Sequence, residues 1–165
     1  MEQLYSETYL KAKPAKQRIA ARIALMALCV LLVFVDLFVI QSIFALIFII
    51  ILDAVILVAM PTKNIAYEYV FVDGQIDFDV IYNGNRRKNQ KRIDLDKADL
   101  IAPEESGKLY NYKNTPLSDY SSRIEGDKAY IIVYKGEKGE ERIKFTPDEK
   151  MLENIKIKAR MKVDY

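Results

Sequence analysis

The stretch AYEYVFVDGQIDFDVIY, residues 66–82, decides the fold of the polar part of the chain. On each side of Asp73-Gly74 apolar and polar side chains alternate, and a period of two is typical of a strand with one buried face. Asp-Gly between two alternating runs is the strongest short-range hairpin signal. The stretch therefore predicts a β-hairpin.

Further short strands are predicted C-terminal to this hairpin, after the polar stretch of residues 83–90. The segments that read as strands are residues 91–95, 99–103, 120–124, 129–134 and 141–145, the last two forming a second hairpin. Residues 104–127 are otherwise loop-like, with Gly, Asn and Pro at intervals. The polar part is thus predicted to be mainly antiparallel β-structure.

One helix is predicted after these strands. Thr146 precedes Pro147 and two acidic residues, an order typical of a helix start with a threonine cap. Met151, Ile155 and Ala159 then fall on one face at helical spacing. Six or seven strands followed by one helix is the order of a pleckstrin-homology-like β-barrel or sandwich, predicted here over residues 65–165.

The N-terminal third of the chain is apolar. Residues 23–60 contain only two charged side chains, Asp36 and Asp53. As one helix these residues would rise about 57 Å, nearly twice the thickness of a hydrocarbon core. We therefore expect a transmembrane helical hairpin within residues 19–60. Its helices would cover about residues 19–37 and 42–60, turn near Gln41 and Ser42, and end before Pro61.

Basic residues set the expected orientation of this hairpin. The tail of residues 1–18 is basic, Lys63 follows the second helix, and the connection between the helices carries no basic residue. The positive-inside rule then places both termini in the cytoplasm. The sequence predicts a multi-pass cell-membrane protein of the α+β class.

Asp53 is the one ionisable side chain well inside the second predicted helix, and such residues are costly and often functional. Counting antiparallel from the turn places it near the level of Arg22. A hydrogen bond or an Arg22 ion pair within the hairpin is the favoured interpretation, and an ion or proton site is the alternative. Cys29 is expected to be an ordinary apolar packing residue.

Composition excludes several kinds of chemistry. The chain has no His and one Cys, so His-based catalysis, a disulfide framework and a multi-Cys zinc site are excluded. Residues 61–165 carry 20 Lys+Arg against 19 Asp+Glu, which is no broad footprint for nucleic acid. We expect no cofactor, no metal and no enzymatic activity.

Two groups of side chains are candidates for binding. Five cations lie within seven positions near the membrane segment, where they would contact anionic lipid or form a solvated loop: Arg86, Arg87, Lys88, Lys91 and Arg92. Three tyrosines in the long connection would contact a partner or cover a small core: Tyr110, Tyr112 and Tyr120. The acidic pairs Asp77/Asp79 and Asp94/Asp96 are interpreted as solvent-exposed strand faces.

Three stretches carry a family resemblance: AYEYVFVDGQIDFDVIYNGNRRK, KRIDLDKADLIAPEE and FTPDEKML. Together with the basic tail and the two-helix hairpin, they resemble the bacterial membrane proteins of the domain-of-unknown-function family 6106. The resemblance implies a membrane location and a pleckstrin-homology-like domain. It implies no reaction, because that family carries no assigned activity.

The leading functional hypothesis is a membrane-anchored binding or scaffold protein. Its cytoplasmic β domain would bind a protein partner, anionic membrane lipids or further copies of the same chain. The alternative is a small accessory subunit of a membrane transport system that uses Asp53.

Overall fold

A computed structural model of the chain describes residues 4–59, 65–137 and 139–164, with only the backbone described for residues 17, 18 and 57–59. It contains two compact units. One is Pro14–Lys63, and the other combines Met1–Lys13 with Asn64–Tyr165. The apolar segment is thus inserted within the sequence of a β domain that has already begun.

The first sheet is antiparallel, with the strand order β1-β2-β3-β4. Its strands are β1 (Tyr5–Ala12), β2 (Ile65–Val72), β3 (Gln75–Tyr82) and β4 (Arg86–Asp94). The β2-β3 hairpin confirms the prediction, and its turn residues Asp73 and Gly74 both have positive φ, 45° and 102°. Asp and Gly are residues that adopt this conformation in two-residue hairpins.

Two parts of the first sheet differ from the prediction. Residues 5–12 lie in the predicted basic tail, but they form β1. Ser6 and Thr8 of this strand are buried in the domain, while the side chains that alternate with them are exposed. The polar residues 86–90 were expected outside any strand but form half of β4, paired with β3. β4 is an edge strand, and charged, exposed side chains are compatible with that position.

The second sheet has the strand order β5-β7-β8-β6. Its strands are β5 (Ala98–Pro103), β6 (Leu117–Asp119), β7 (Tyr130–Gly136) and β8 (Gly139–Phe145). The β7-β8 hairpin confirms the second predicted hairpin. The strand expected at residues 120–124 lies earlier, as β6, which pairs with β8 in parallel. The two sheets form an open sandwich and do not close into a barrel.

The predicted C-terminal helix is α3 (Glu149–Lys158). Its cap is Asp148, whose Oδ1 accepts a hydrogen bond from the Met151 amide at 2.8 Å, so the prediction of Thr146 as the cap was wrong. The helix buries Met151 and Ile155 completely against both sheets. This packing places α3 beside the inner face of β1, where the Thr8 hydroxyl meets the Met151 sulfur.

An aromatic cluster lies at the centre of the sandwich. The rings of Tyr69 and Phe78 each meet the Phe145 ring edge to face, with centroids 5.8 Å apart, and all three side chains are fully buried. Edge-to-face pairs add about 0.5–1.5 kcal/mol beyond the burial of their surface. These residues join β2, β3 and β8 into one hydrophobic core.

The apolar unit contains α1 (Lys16–Val35), a π-helical segment (Asp36–Ile40) and α2 (Ile43–Ala59). Gln41, with φ of 51°, forms the turn at the predicted place. Among the described residues, Ile19–Ile40 is the one stretch of helix that is long and apolar enough to cross a membrane. The second predicted crossing is therefore not shown, and the predicted exit at Pro61 lies outside the described residues.

Candidate functional site

Strand register defines one end of the first sheet. Ala12 of β1 lies opposite Ile65 of β2, which lies opposite Tyr82 of β3, which lies opposite Arg86 of β4. We call this row the connection end, because residues 13–64 join β1 to β2 there. Seven register steps away, about 23 Å along the strands, Tyr5, Val72, Gln75 and Asp94 form the far end.

The two ends of the first sheet differ in their charged side chains. The charged side chains within two register steps of the connection end, with Lys13 after it, are all basic: Lys11, Lys13, Arg86, Arg87 and Lys88. Both signs of charge occur at or near the far end, where Arg92, Lys97 and Lys158 lie among Glu7, Asp73, Asp77, Asp94 and Asp96. The connection end is therefore uniformly basic, whereas the far end is mixed.

Most of the positive charge at the connection end is unneutralised. Lys11, Lys13, Arg86 and Lys88 are exposed, and within the described ranges none of them forms an ion pair. Arg87 differs, since its guanidinium lies 2.9 Å from Glu68 Oε2 and 2.5 Å from Asp79 Oδ2. Four cations at this end are thus available to an external anion.

The five-cation cluster predicted from the sequence is divided by the structure. Lys91 forms an ion pair with Glu141 of β8, and Arg92 binds both carboxylate oxygens of Asp77 at 2.5 and 2.7 Å. Lys91 and Lys88 share the inward face of β4, and the register shifts between them. Inward lysines and such a bulge are features that protect a sheet edge from pairing with another chain.

The outer face of the first sheet holds buried carboxylates, contrary to the prediction of a solvated face. Asp79 is 5% exposed and accepts hydrogen bonds from Arg87 and Asn89, and Glu68 is 8% exposed. Burial, followed by the hydrogen bond shared with Glu7, raises the pKa of the Glu68 carboxyl. Arg87 opposes this rise.

The other acidic pair does not form a strand face either. Asp94 accepts a hydrogen bond from the Asp96 amide at 2.9 Å and caps a short turn of helix. Within residues 4–59, 65–137 and 139–164, no group of three Asp, Glu or Cys side chains is arranged to hold a metal.

The three candidate tyrosines lie in different environments. Tyr110 is 69% exposed, with the Lys113 ammonium 4.2 Å from its ring centroid. Tyr112 packs against a small cluster on the outer face of β5 and β7. Tyr120 stacks on Phe78 in the main core, with centroids 5.2 Å apart. They do not form one partner surface, and only Tyr110 remains a candidate contact.

In the apolar unit, Asp53 lies beside Cys29. The Asp53 carboxyl group lies near the Cys29 thiol, and its Oδ1 is buried without a hydrogen-bond partner. No ion pair in the described part of the chain joins Asp53 to Arg22, so the predicted pairing is not shown. A transport role for Asp53 stays a prediction.

No sequence motif indicated the polar network formed by residues 119–123, which we call the 119–123 loop. Arg123 Nε donates to Asp119 Oδ2 at 2.8 Å, and Nη2 donates to the Tyr67 hydroxyl at 3.0 Å. Burial opposes ionisation of Asp119, but hydrogen bonds from Ser121 and Arg123 outweigh it and lower the pKa of that carboxyl. The Asp119-Ser121-Arg123 spacing is too common in loops to predict this network.

The architecture agrees with one family of known domains. The family model described as a bacterial PH-like domain, DUF6106, matches residues 2–164. The chain belongs to this family. A bacterial PH-like domain accounts for the two sheets and the C-terminal helix, and the match includes β1 and the apolar segment. No curated protein and no solved structure gives a significant match.

Proposed function

We propose that this PH-like domain is a membrane-anchored scaffold whose connection end rests on anionic lipid headgroups. The observation that carries the proposal is the pairing of β1 with β2 across the apolar segment, at the basic end of the sheet. The rest of the domain would then face away from the membrane and be open to a protein partner.

The β1-β2 pairing favours an even number of membrane crossings. A segment whose two ends join neighbouring strands of one sheet begins and ends on the same side of a membrane. The Ile19–Ile40 stretch rises about 33 Å, enough for one crossing, and the 17 residues of α2 meet the lower limit for the return. Both termini would lie on the cytoplasmic side, where the positive-inside rule places basic flanks.

Charge supports the lipid contact. The cytoplasmic leaflet attracts juxtamembrane basic residues by about 1 kcal/mol each within a Debye length of the surface. Lys11, Lys13, Arg86 and Lys88 are exposed and directly flank the connection to the apolar segment. The far end, where both signs of charge occur, lies about 23 Å further along the strands, which is more than a Debye length from the surface.

Lysine acetylation of the full chain in nanodiscs tests the lipid contact. We expect Lys11, Lys13 and Lys88 to react more slowly in discs containing phosphatidylglycerol than in pure phosphatidylcholine discs, and salt to reduce the difference. Lys158 is the matched control, because its side chain lies against Gly74 beyond the far end. Equal reactivity of the three lysines in both discs would contradict the proposal.

Cysteine labelling tests the topology separately. In a Cys29→Ala background, Gln41→Cys should react with an impermeant maleimide from outside intact cells. Tyr9→Cys and Met161→Cys, both on exposed side chains of the β domain, should react only after permeabilisation. Labelling of Gln41→Cys from the same side as Tyr9→Cys would contradict two crossings.

A further inference from the structure

We propose that Arg123 is a positioning residue that holds the chain where it leaves β1 for the apolar segment. Arg123 Nη1 donates a hydrogen bond to the Lys13 carbonyl at 3.2 Å, and the Lys13 amide donates to the Ser122 carbonyl at 2.8 Å. Both backbone groups of Lys13 are therefore bound by the 119–123 loop. This inference deepens the proposed function, because Lys13 is one of the cations at the connection end.

The same guanidinium also reaches the strand that follows the apolar segment. Arg123 Nη2 donates to the Tyr67 hydroxyl, and Tyr67 lies in β2 two register steps from the connection end. Its ring contacts Tyr120 edge to face, with centroids 5.7 Å apart. One side chain thus links the chain entering the apolar segment to the strand that begins after it.

The 119–123 loop is itself firmly held. Ser121 donates to Asp119 Oδ1 from both its amide and its hydroxyl, at 2.9 and 2.7 Å. The Ser122 amide donates to Thr146 Oγ1 at 3.2 Å, which ties the loop to the end of β8. Because these bonds do not involve Lys13, the loop is a fixed support on which the chain can be held.

The backbone of Arg123 adds an independent observation. Its φ is 55°, in the left-handed region that favours glycine and is costly for a long side chain. A loop needing only this conformation would be better served by glycine. Arginine at this position is explained by what its side chain binds, which is Asp119, Tyr67 and the Lys13 carbonyl.

The connection from Lys13 to α1 is short, so holding the Lys13 backbone also restricts the start of the helix. Three residues, Lys13, Pro14 and Ala15, separate β1 from the helix beginning at Lys16. Proline fixes its own φ and restricts the residue before it to extended conformations. Holding Lys13 therefore limits the movement of the chain at the start of α1, and releasing it would allow that movement.

Hydrogen exchange tests this inference with the full chain in pure phosphatidylcholine nanodiscs. In Arg123→Gly we expect exchange in the peptide containing Lys13 to become about tenfold faster, while exchange in β7 is unchanged. Glycine suits the backbone at position 123, so this variant removes the side chain without adding strain. A nitroxide at Ala15→Cys, in a Cys29→Ala background, should become more mobile in the same variant.

Two further variants make the test specific. Arg123→Lys keeps the charge but lacks the planar fork, and it should also release Lys13. Arg142→Ala is the matched control. Arg142 donates hydrogen bonds to the Thr115 and Lys113 carbonyls, so its removal should loosen only the loop that contains those two residues. Unchanged exchange of Lys13 in Arg123→Gly, or equal loosening in Arg142→Ala, would overturn the inference. Neutral lipid makes the result independent of whether the basic end binds headgroups.

Discussion

Removing Arg87 should expose the energetic role of the buried carboxylates on the first sheet. Glu68 and Asp79 face each other across β2 and β3, and Arg87 lies between them and solvent. Opposed side chains on neighbouring strands are about 5 Å apart at Cβ. At an effective dielectric of about 20, two unit charges at that distance repel by about 3 kcal/mol.

Solvent reduces this figure. The Arg87 side chain is 54% exposed, so water would enter when it is removed and screen part of the repulsion. We expect Arg87→Ala to lower the free energy of unfolding by about 2 kcal/mol near neutral pH. The loss should shrink as pH falls, because protonation of Glu68, whose pKa is raised by burial, removes the repulsion that Arg87 relieves.

Urea unfolding of the full chain in detergent, followed by tyrosine circular dichroism, measures this effect. With a slope of about 1–3 kcal/mol per molar, the urea midpoint should fall by about 1 M. Adding Glu68→Gln to Arg87→Ala should restore much of the stability, because it removes one of the two charges. Arg92→Ala is the matched control, since its more exposed pair with Asp77 is screened by solvent and should contribute much less. An equal loss in both arginine variants, or a loss that does not change with pH, would refute the reasoning.

Three other outcomes are expected. Replacing residues 13–64 by Asn-Gly should give a folded, soluble monomer by gel filtration and circular dichroism, because Ala12 and Ile65 are paired and a two-residue turn can join them. An aggregated product would contradict the assignment of β1 to the β domain. The pKa of Glu68 is raised in the folded state, so its contribution to stability is complete below the unfolded pKa and is lost as the pH rises above about 4.5. Glu68→Gln should therefore lose less unfolding free energy over this pH range than the unmodified protein. An unchanged pH profile would count against the raised pKa. Tyr69→Phe removes two hydrogen bonds, one from the Tyr69 hydroxyl to the Tyr120 carbonyl at 2.5 Å and one from the Thr146 amide to that hydroxyl at 3.3 Å. In the urea assay this variant should lower the free energy of unfolding by about 1–3 kcal/mol. No loss would mean that these bonds contribute little to stability.

Local patterns predicted the elements whose signals are strong over short distances. Asp73-Gly74 fixed a hairpin, and the spacing of Met151 and Ile155 fixed the buried face of α3. β1 was missed because the lysines from Lys11 onward suggested a basic tail, although residues 5–10 alternate. Its strand partner lies more than fifty positions later, and a single strand has no local signal that names a distant partner.

The candidate site was only partly predictable for a related reason. The basic residues near position 88 are plain in the sequence, but which of them are free depends on cross-strand neighbours. Arg87 is paired because Glu68 lies one strand beyond Asp79, and Lys91 is paired because the second sheet brings Glu141 to it. The Arg123 network depends on three separate segments meeting, so no short motif could have indicated it.

The position of the apolar segment between β1 and β2 also affects how the protein is made. At about 5–20 residues per second, β1 leaves the ribosome several seconds before β2 exists. Under the proposed membrane anchoring, the nascent chain would insert its most hydrophobic residues into the membrane during that interval, while β1 has no strand to pair with. Completion of the first sheet therefore follows synthesis of the whole segment. A chain whose segment was not inserted would expose that apolar segment to water next to an incomplete sheet. Folding of the β domain would in this way depend on prior insertion of the apolar segment, and an anchor at one terminus would not create that dependence.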